Sequence, residues 1–137
     1  MLFRSEGAAN ATFAGFDFGA TLTLLDPKNR SAGAYDGKVL PRRSKQIARL
    51  DVDRAFGPWH LGATLHAQGH RYDDAANTRR LGGFATLDLR AEYELTRDWR
   101  VQARVANAGD KDYQTAYLYP QPGRSVFVTL RYQPAAR

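Results

Sequence analysis

The stretch Trp59-His60-Leu61-Gly62-Ala63-Thr64-Leu65-His66-Ala67-Gln68 alternates without a fault. Trp59, Leu61, Ala63, Leu65 and Ala67 form one row; His60, Gly62, Thr64, His66 and Gln68 form the other. Successive side chains of a strand project to opposite faces, so a period of two marks a strand with one apolar and one polar face. The same period recurs on both sides. In 16–25, Phe16, Phe18, Ala20, Leu22 and Leu24 oppose Asp17, Gly19, Thr21 and Thr23. In 47–56, Ala48, Leu50, Val52 and Phe56 oppose Arg49, Asp51 and Asp53, with Arg54 interrupting the apolar row. The segments 84–94, 99–106 and 124–132 repeat the pattern, for example Trp99, Val101, Ala103 and Val105 against Arg100, Gln102 and Arg104. No helical period of similar quality occurs.

Alternation also suits a soluble sandwich, with its apolar faces turned inward. The connections separate the two cases. Gly57-Pro58 and Leu95-Thr96-Arg97-Asp98 are short, whereas 26–46, 69–83 and 107–123 are long, and the two kinds alternate along the chain. Outer-membrane barrels sort their connections this way, with short periplasmic turns and long extracellular loops. Phe56, Trp59, Tyr93, Trp99 and Tyr132 fall beside the short turns or at the final strand end, where a membrane boundary favours amphipathic rings. The expected fold is therefore all-β: an antiparallel up-and-down transmembrane β-barrel segment of about six strands. Closure takes about eight strands or more, and lipid cannot satisfy open edges, so the barrel is incomplete. Residues 1–15 are expected to be a remnant of a strand or loop, 16–132 the barrel strands and 133–137 a tail.

Among 137 residues there is no cysteine, so disulfides and thiolate metal sites are excluded. No apolar run is long enough for a transmembrane helix. Met1 to Asn10 lack the apolar core of a signal peptide, so an export signal is expected outside this chain. The net charge of +6 admits nucleic acid, anionic lipid or an acidic ligand as partner. The basic residues are not interleaved with stacking aromatics, which disfavours nucleic acid.

Two motifs carry a family resemblance. Asn107-Ala108-Gly109-Asp110-Lys111-Asp112-Tyr113 resembles the Asn-Leu-Phe-Asp-Lys-Asp-Tyr motif near the end of TonB-dependent receptors, with Ala108 and Gly109 in place of Leu-Phe. Tyr119-Pro120-Gln121-Pro122-Gly123-Arg124 resembles the Tyr-x-x-Pro-Gly-Arg lead into their last strand, which follows here as Ser125 to Tyr132. Within that family Asn10 to Gly15, Leu40-Pro41-Arg42-Arg43, Arg71 to Asp74 and Leu81 to Phe84 are similar to segments of cobalamin receptors. Against those, the path from Asn10 to Leu25 looks shorter by a hairpin. The resemblance implies the C-terminal part of an outer-membrane receptor barrel. It implies a small-molecule ligand (cobalamin, or alternatively an iron chelate) and TonB as energy donor, engaged through a segment outside this chain. It also makes Tyr72, Asn77, Tyr117 and Tyr119 candidate ligand-binding loop residues.

Catalytic and metal chemistry find little support. His60 and His66 share a polar row, with His70 four residues on, but a zinc site needs three or four converging ligands. Asp73-Asp74 lacks the spaced oxygen ligands of a calcium loop. Glu92 and Glu94 share the polar face with Arg90 and, on the next strand, Arg104, an arrangement suited to a salt-bridged wall. No phosphate loop, Rossmann or Gly-x-Ser-x-Gly pattern occurs. Neither an enzymatic activity nor a cofactor is expected. Arg42, Arg43 and Lys45, just before the second clear strand, are candidates for contact with lipopolysaccharide phosphates, together with outer-membrane lipid. The second reading is a soluble β-domain that binds an acidic partner through these basic loops.

Overall fold

The computed structural model describes residues 3–134. The expected tail lies outside them from residue 135 onward. Eleven strands form: β1 (Phe3–Phe13), β2 (Phe16–Asp26), β3 (Gln46–Phe56), β4 (Trp59–Gln68), β5 (Arg71–Tyr72), β6 (Arg80–Leu81), β7 (Phe84–Glu94), β8 (Trp99–Ala106), β9 (Gln114–Ala116), β10 (Tyr119–Pro120) and β11 (Ser125–Tyr132). No helix forms among the described residues. Seven strands make one antiparallel sheet in the order β1-β2-β3-β4-β7-β8-β11. Sequence neighbours are thus sheet neighbours throughout, which is an up-and-down wall. The β5-β6 and β9-β10 pairs are small ladders inside two long loops.

The six alternating segments all appear within a residue or two of their expected limits. The seventh strand, β1, was not marked by alternation. Before Phe13 at the turn, its outward row runs Ser5, Gly7, Ala9 and Ala11, too small to contrast with the inner row. It forms because Ala14 (φ 52°) and Gly15 (φ 78°) place both central turn residues in the left-handed region. That is the type I′ geometry whose twist matches a hairpin. Register then runs unbroken from Phe13↔Phe16 to Phe3↔Asp26. No gap interrupts the sheet between β1 and β2.

The connections 14–15, 57–58 and 95–98 lie at one end of the wall; 27–45, 69–83 and 107–124 lie at the other. Cross-strand register keeps the apolar rows continuous, as in Phe18↔Val52, Val52↔Ala63, Ala63↔Leu89 and Leu89↔Val105. These apolar side chains are the exposed ones: Leu50, Leu65, Leu89, Val128 and Leu130 all face out. The buried hydrophobics, Leu81 and Phe84, lie instead under the long loops. A soluble sandwich would bury the apolar rows. An apolar outer face and a charged inner face are what hydrocarbon on one side and lumen on the other demand.

Candidate functional site

The inner wall is built from charge pairs across neighbouring strands. Arg90 on β7 donates to both oxygens of Asp53 on β3, at 2.7 and 2.8 Å, crossing β4 to do so. Its other Nη donates to Thr64 Oγ1 at 2.7 Å, and Thr64 donates to Asp51 at 2.7 Å. Arg49 closes this group on Asp51 at 2.6 Å. Further along, Arg104 pairs with Asp88 at 2.6 Å and Arg100 with Glu94 at 2.8 Å. The expected salt-bridged wall is present. Its pairing differs in detail, because Glu92 and Glu94 take Arg100 while Arg90 reaches past them to Asp53.

The histidines do not converge. His60 lies 3.9 Å from Glu94, His66 rests 6.0 Å from the Phe84 ring and His70 sits edge-on to Tyr72 at 6.1 Å. Among the described residues no group of three or more His, Cys, Asp or Glu side chains is arranged to hold a metal ion.

The three long loops are knitted into one cap, and Asp73 is its junction. Arg42 Nε of the first loop donates to Asp73 Oδ1 at 2.9 Å, and the Tyr117 amide of the third donates to the same oxygen at 3.1 Å. These donors hold the Asp73 carboxyl below the usual carboxylate range, the Tyr117 amide most of all and then Arg42. Asp74 turns the other way and closes its own loop. It accepts from the Arg79 amide at 2.8 Å, the Thr78 hydroxyl at 2.8 Å and the Thr78 amide at 3.1 Å, and its pKa falls to about 2, chiefly through the Arg79 amide. Asn77 acts as a clip. Its carbonyl oxygen accepts from Val39 N and its amide donates to Val39 O, both at 2.8 Å, so it mimics a strand partner for the first loop. It does so at φ 59°, a conformation asparagine tolerates better than most residues.

Arg71 anchors the third loop from below. Its guanidinium donates to the carbonyls of Gln114 and Thr115 and lies 5.3 Å from the centre of the Phe84 ring. Phe84 stacks on Tyr113 at 4.1 Å. Burial pushes the Arg71 pKa down, yet a guanidinium starts so high that it stays charged at neutral pH.

The two family motifs form a clasp. Asn107 Oδ1 accepts from the Lys111 amide, and Asn107 Nδ2 donates to Lys111 O, each at 2.9 Å. Asp110 Oδ1 accepts from the Arg124 amide at 2.7 Å. A Cβ on Gly123 would stand 2.7 Å from that same oxygen, so the glycine is what allows the approach.

Of the ligand candidates, Tyr117 and Tyr119 are exposed on the cap, Tyr119 at 68%. Tyr72 and Asn77 work within it: Tyr72 O accepts from the Arg42 amide at 2.6 Å, and Asn77 holds Val39. Arg43 and Lys45 are exposed, whereas Arg42 is tied to Asp73. The exposed Tyr35 and Leu118 join Tyr117 and Tyr119 among the large residues that the cap presents, and sequence reasoning did not single them out. The roles of Asp73 and Arg71 were likewise missed, since neither belongs to a pattern and both partners lie far away in sequence.

An open-edged antiparallel wall with an apolar outer face, a charged lumen face and sorted loops defines the class: a segment of an outer-membrane β-barrel. Residues 5–108 match the family model described as TonB dependent receptor-like, beta-barrel. Over 109 residues the chain is 38% identical to Vitamin B12 transporter BtuB of Photobacterium profundum, an alignment that covers 80% of this chain and 17% of that protein. The structure superposes on the ferric yersiniabactin uptake receptor FyuA from Yersinia pestis with a TM-score of 0.87, at 22% identity, over 96% of this chain and 23% of that one. It superposes on the siderophore receptor PiuA from Acinetobacter baumannii with a TM-score of 0.81, at 24% identity, over 96% and 21%. The chain belongs to the TonB-dependent receptor β-barrel family and to the outer membrane. It spans 17% to 23% of the length of these relatives, which are transport proteins and receptors.

Proposed function

We propose that these residues form the C-terminal barrel wall and three extracellular loops of a receptor for TonB-dependent cobalamin uptake. The observation that carries this reading is the 38% identity, over 80% of the chain, to a protein named as a vitamin B12 transporter. The siderophore receptors superpose at 22% and 24% identity, a level that speaks to fold alone. In this reading Tyr117 and Tyr119 meet the ligand, and Tyr72 and Asn77 hold the loops that present them. TonB engages through a segment outside these 137 residues. The wall shields a hydrated lumen, and its paired charges face the water path rather than lipid.

The test uses the full receptor carrying this segment in a strain lacking its own cobalamin receptor. Labelled cobalamin should be taken up, and replacing Tyr117 and Tyr119 by Ala should weaken binding by about tenfold, as for aromatic contacts at an interface centre. Uptake of a ferric siderophore with no uptake of cobalamin would overturn the ligand assignment and leave the barrel standing.

A further inference from the structure

The outward rows of the sheet are largely apolar, with one cation among the described residues. Arg54 is the only Lys or Arg on these rows among the described residues. It pairs in register with Leu61. Its guanidinium lies 4.4 Å from the centre of the Phe16 ring and 6.0 Å from that of Phe56. Asp53 and Asp17, the carboxylates nearest to it along the chain and across the strands, project to the inner face. There Arg90 holds Asp53 and Thr12 donates to Asp17. Arg54 therefore has rings on its flanks and no counter-charge among the described residues.

Beside it the outer surface is hollow. An open groove of about 730 Å³ runs past Phe16, Val52, Leu61, Ala63 and Leu89, with Arg54 on its rim. The small Ala63 forms the floor because Val52 and Leu89 flank it in register. The groove's height is set by the aromatic pairs at the short-turn end, Trp59–Tyr93 at 4.6 Å and Trp99–Tyr132 at 4.7 Å. Such rings mark the boundary between hydrocarbon and headgroups. Short turns are periplasmic, so this boundary is that of the inner leaflet, which is made of glycerophospholipid.

We propose that Arg54 and this groove bind one glycerophospholipid of the inner leaflet. The phosphodiester sits on the guanidinium and an acyl chain lies along Ala63. Charge complementarity supports that occupant. An unpaired guanidinium at headgroup depth matches a phosphate through paired N–H···O bonds, and the apolar hollow that begins at the same point matches a chain. The proposal rests on the orientation of the barrel and is independent of the transported ligand.

The test is native mass spectrometry of the folded full receptor carrying this segment, exchanged into detergent with phosphatidylglycerol or with diacylglycerol, which lacks the phosphate. One phosphatidylglycerol should be retained and diacylglycerol lost. R54Q should lower phosphatidylglycerol retention by about tenfold, the loss expected for removing charge-assisted hydrogen bonds. A63F should do the same by filling the groove while leaving the charge. Equal retention by wild type and R54Q, or equal retention of diacylglycerol, would overturn the proposal. Should either variant fail to insert, the wild type decides. Phosphatidylglycerol with a photoreactive acyl chain should label residues 52–63. Labelling spread evenly over the outward rows, or lipopolysaccharide in place of phospholipid at Arg54, would overturn it.

Discussion

Arg90 and Asp53 are joined across an intervening strand: Nη2 stands 2.7 Å from Oδ1, and the guanidinium lies over Gly62 of β4. In register the three residues form one line, Asp53↔Gly62 and Gly62↔Arg90. A Cβ at Gly62 would meet Asp53 Oδ1 at 2.5 Å and Arg90 Nε closer still. The glycine is therefore a gap in the inner row through which the arginine reaches β3.

The first prediction follows from that gap. Both side chains are partly exposed to the lumen, so water screens the pair and D53N should cost only about 1 kcal/mol of barrel stability. In a G62V background the pair is already forced apart, and D53N should cost close to nothing. Unfolding midpoints of the full receptor, arranged as a double-mutant cycle, measure this coupling. An undiminished cost of D53N in G62V would show that the pair does not depend on the glycine.

Asn77 offers a test of how the first two loops hold together. N77A removes both hydrogen bonds to Val39, worth about 1 kcal/mol each, and leaves the Val39 amide unpaired. Hydrogen exchange at Val39 should accelerate by about thirtyfold, the two bonds taken together. N77G, which keeps the left-handed backbone without strain, should accelerate it to a similar degree. If N77G matches wild type, backbone geometry rather than the carboxamide holds the loop.

Acid should loosen the second loop in a defined window. The folded pKa of Asp74 lies at about 2, below its ordinary 3.8. A depressed folded value means that its contribution is complete above pH 3.8 and is lost as pH falls toward 2. Asp73 is shifted in the same direction, so the joints to Arg42 and Tyr117 weaken in the acid range as well. Proteolysis of the loops by an acid protease should therefore rise from pH 4 to pH 2 and should do so less steeply in D74N, which is already loosened at pH 4. A flat profile in wild type would contradict the assignment.

In the basic run before β3, Arg42 is tied to Asp73 while Arg43 and Lys45 stay exposed, so the two groups can be tested apart. R43Q combined with K45Q should reduce lipopolysaccharide retained through purification by several-fold, since phosphate contacts of this kind are charge-assisted. It should leave the loops intact. R42Q should mainly loosen the joint to Asp73, which hydrogen exchange at the Tyr117 amide would report. Unchanged lipopolysaccharide in R43Q/K45Q would sink the contact proposed for these two side chains.

Legibility followed the range of the interaction. Strands with contrasting rows, such as Trp59–Gln68, were plain because alternation is a property of adjacent residues. Strand β1 was not plain: Ser5, Gly7, Ala9 and Ala11 provide little contrast, and its place in the sheet is set by pairing with β2. Arg54 read as a flaw in an apolar row, and only the Phe16 and Phe56 rings beside it give it a setting. The salt-bridged wall was expected, yet which arginine takes which carboxylate depended on Gly62.

The opening stretch of β4 and its kin determined, by themselves, an antiparallel wall with one apolar face, short turns at one end and long loops at the other. Those follow from local stereochemistry and from the solvents each face must meet. The tertiary structure decided how the loops join. Asp73 meets Arg42 across 31 positions and Tyr117 across 44; Asn107 and Asp110 clasp the Pro122-Gly123-Arg124 run from the other side of the third loop. A contact between distant positions depends on the path of the chain between them, and no local pattern carries that path.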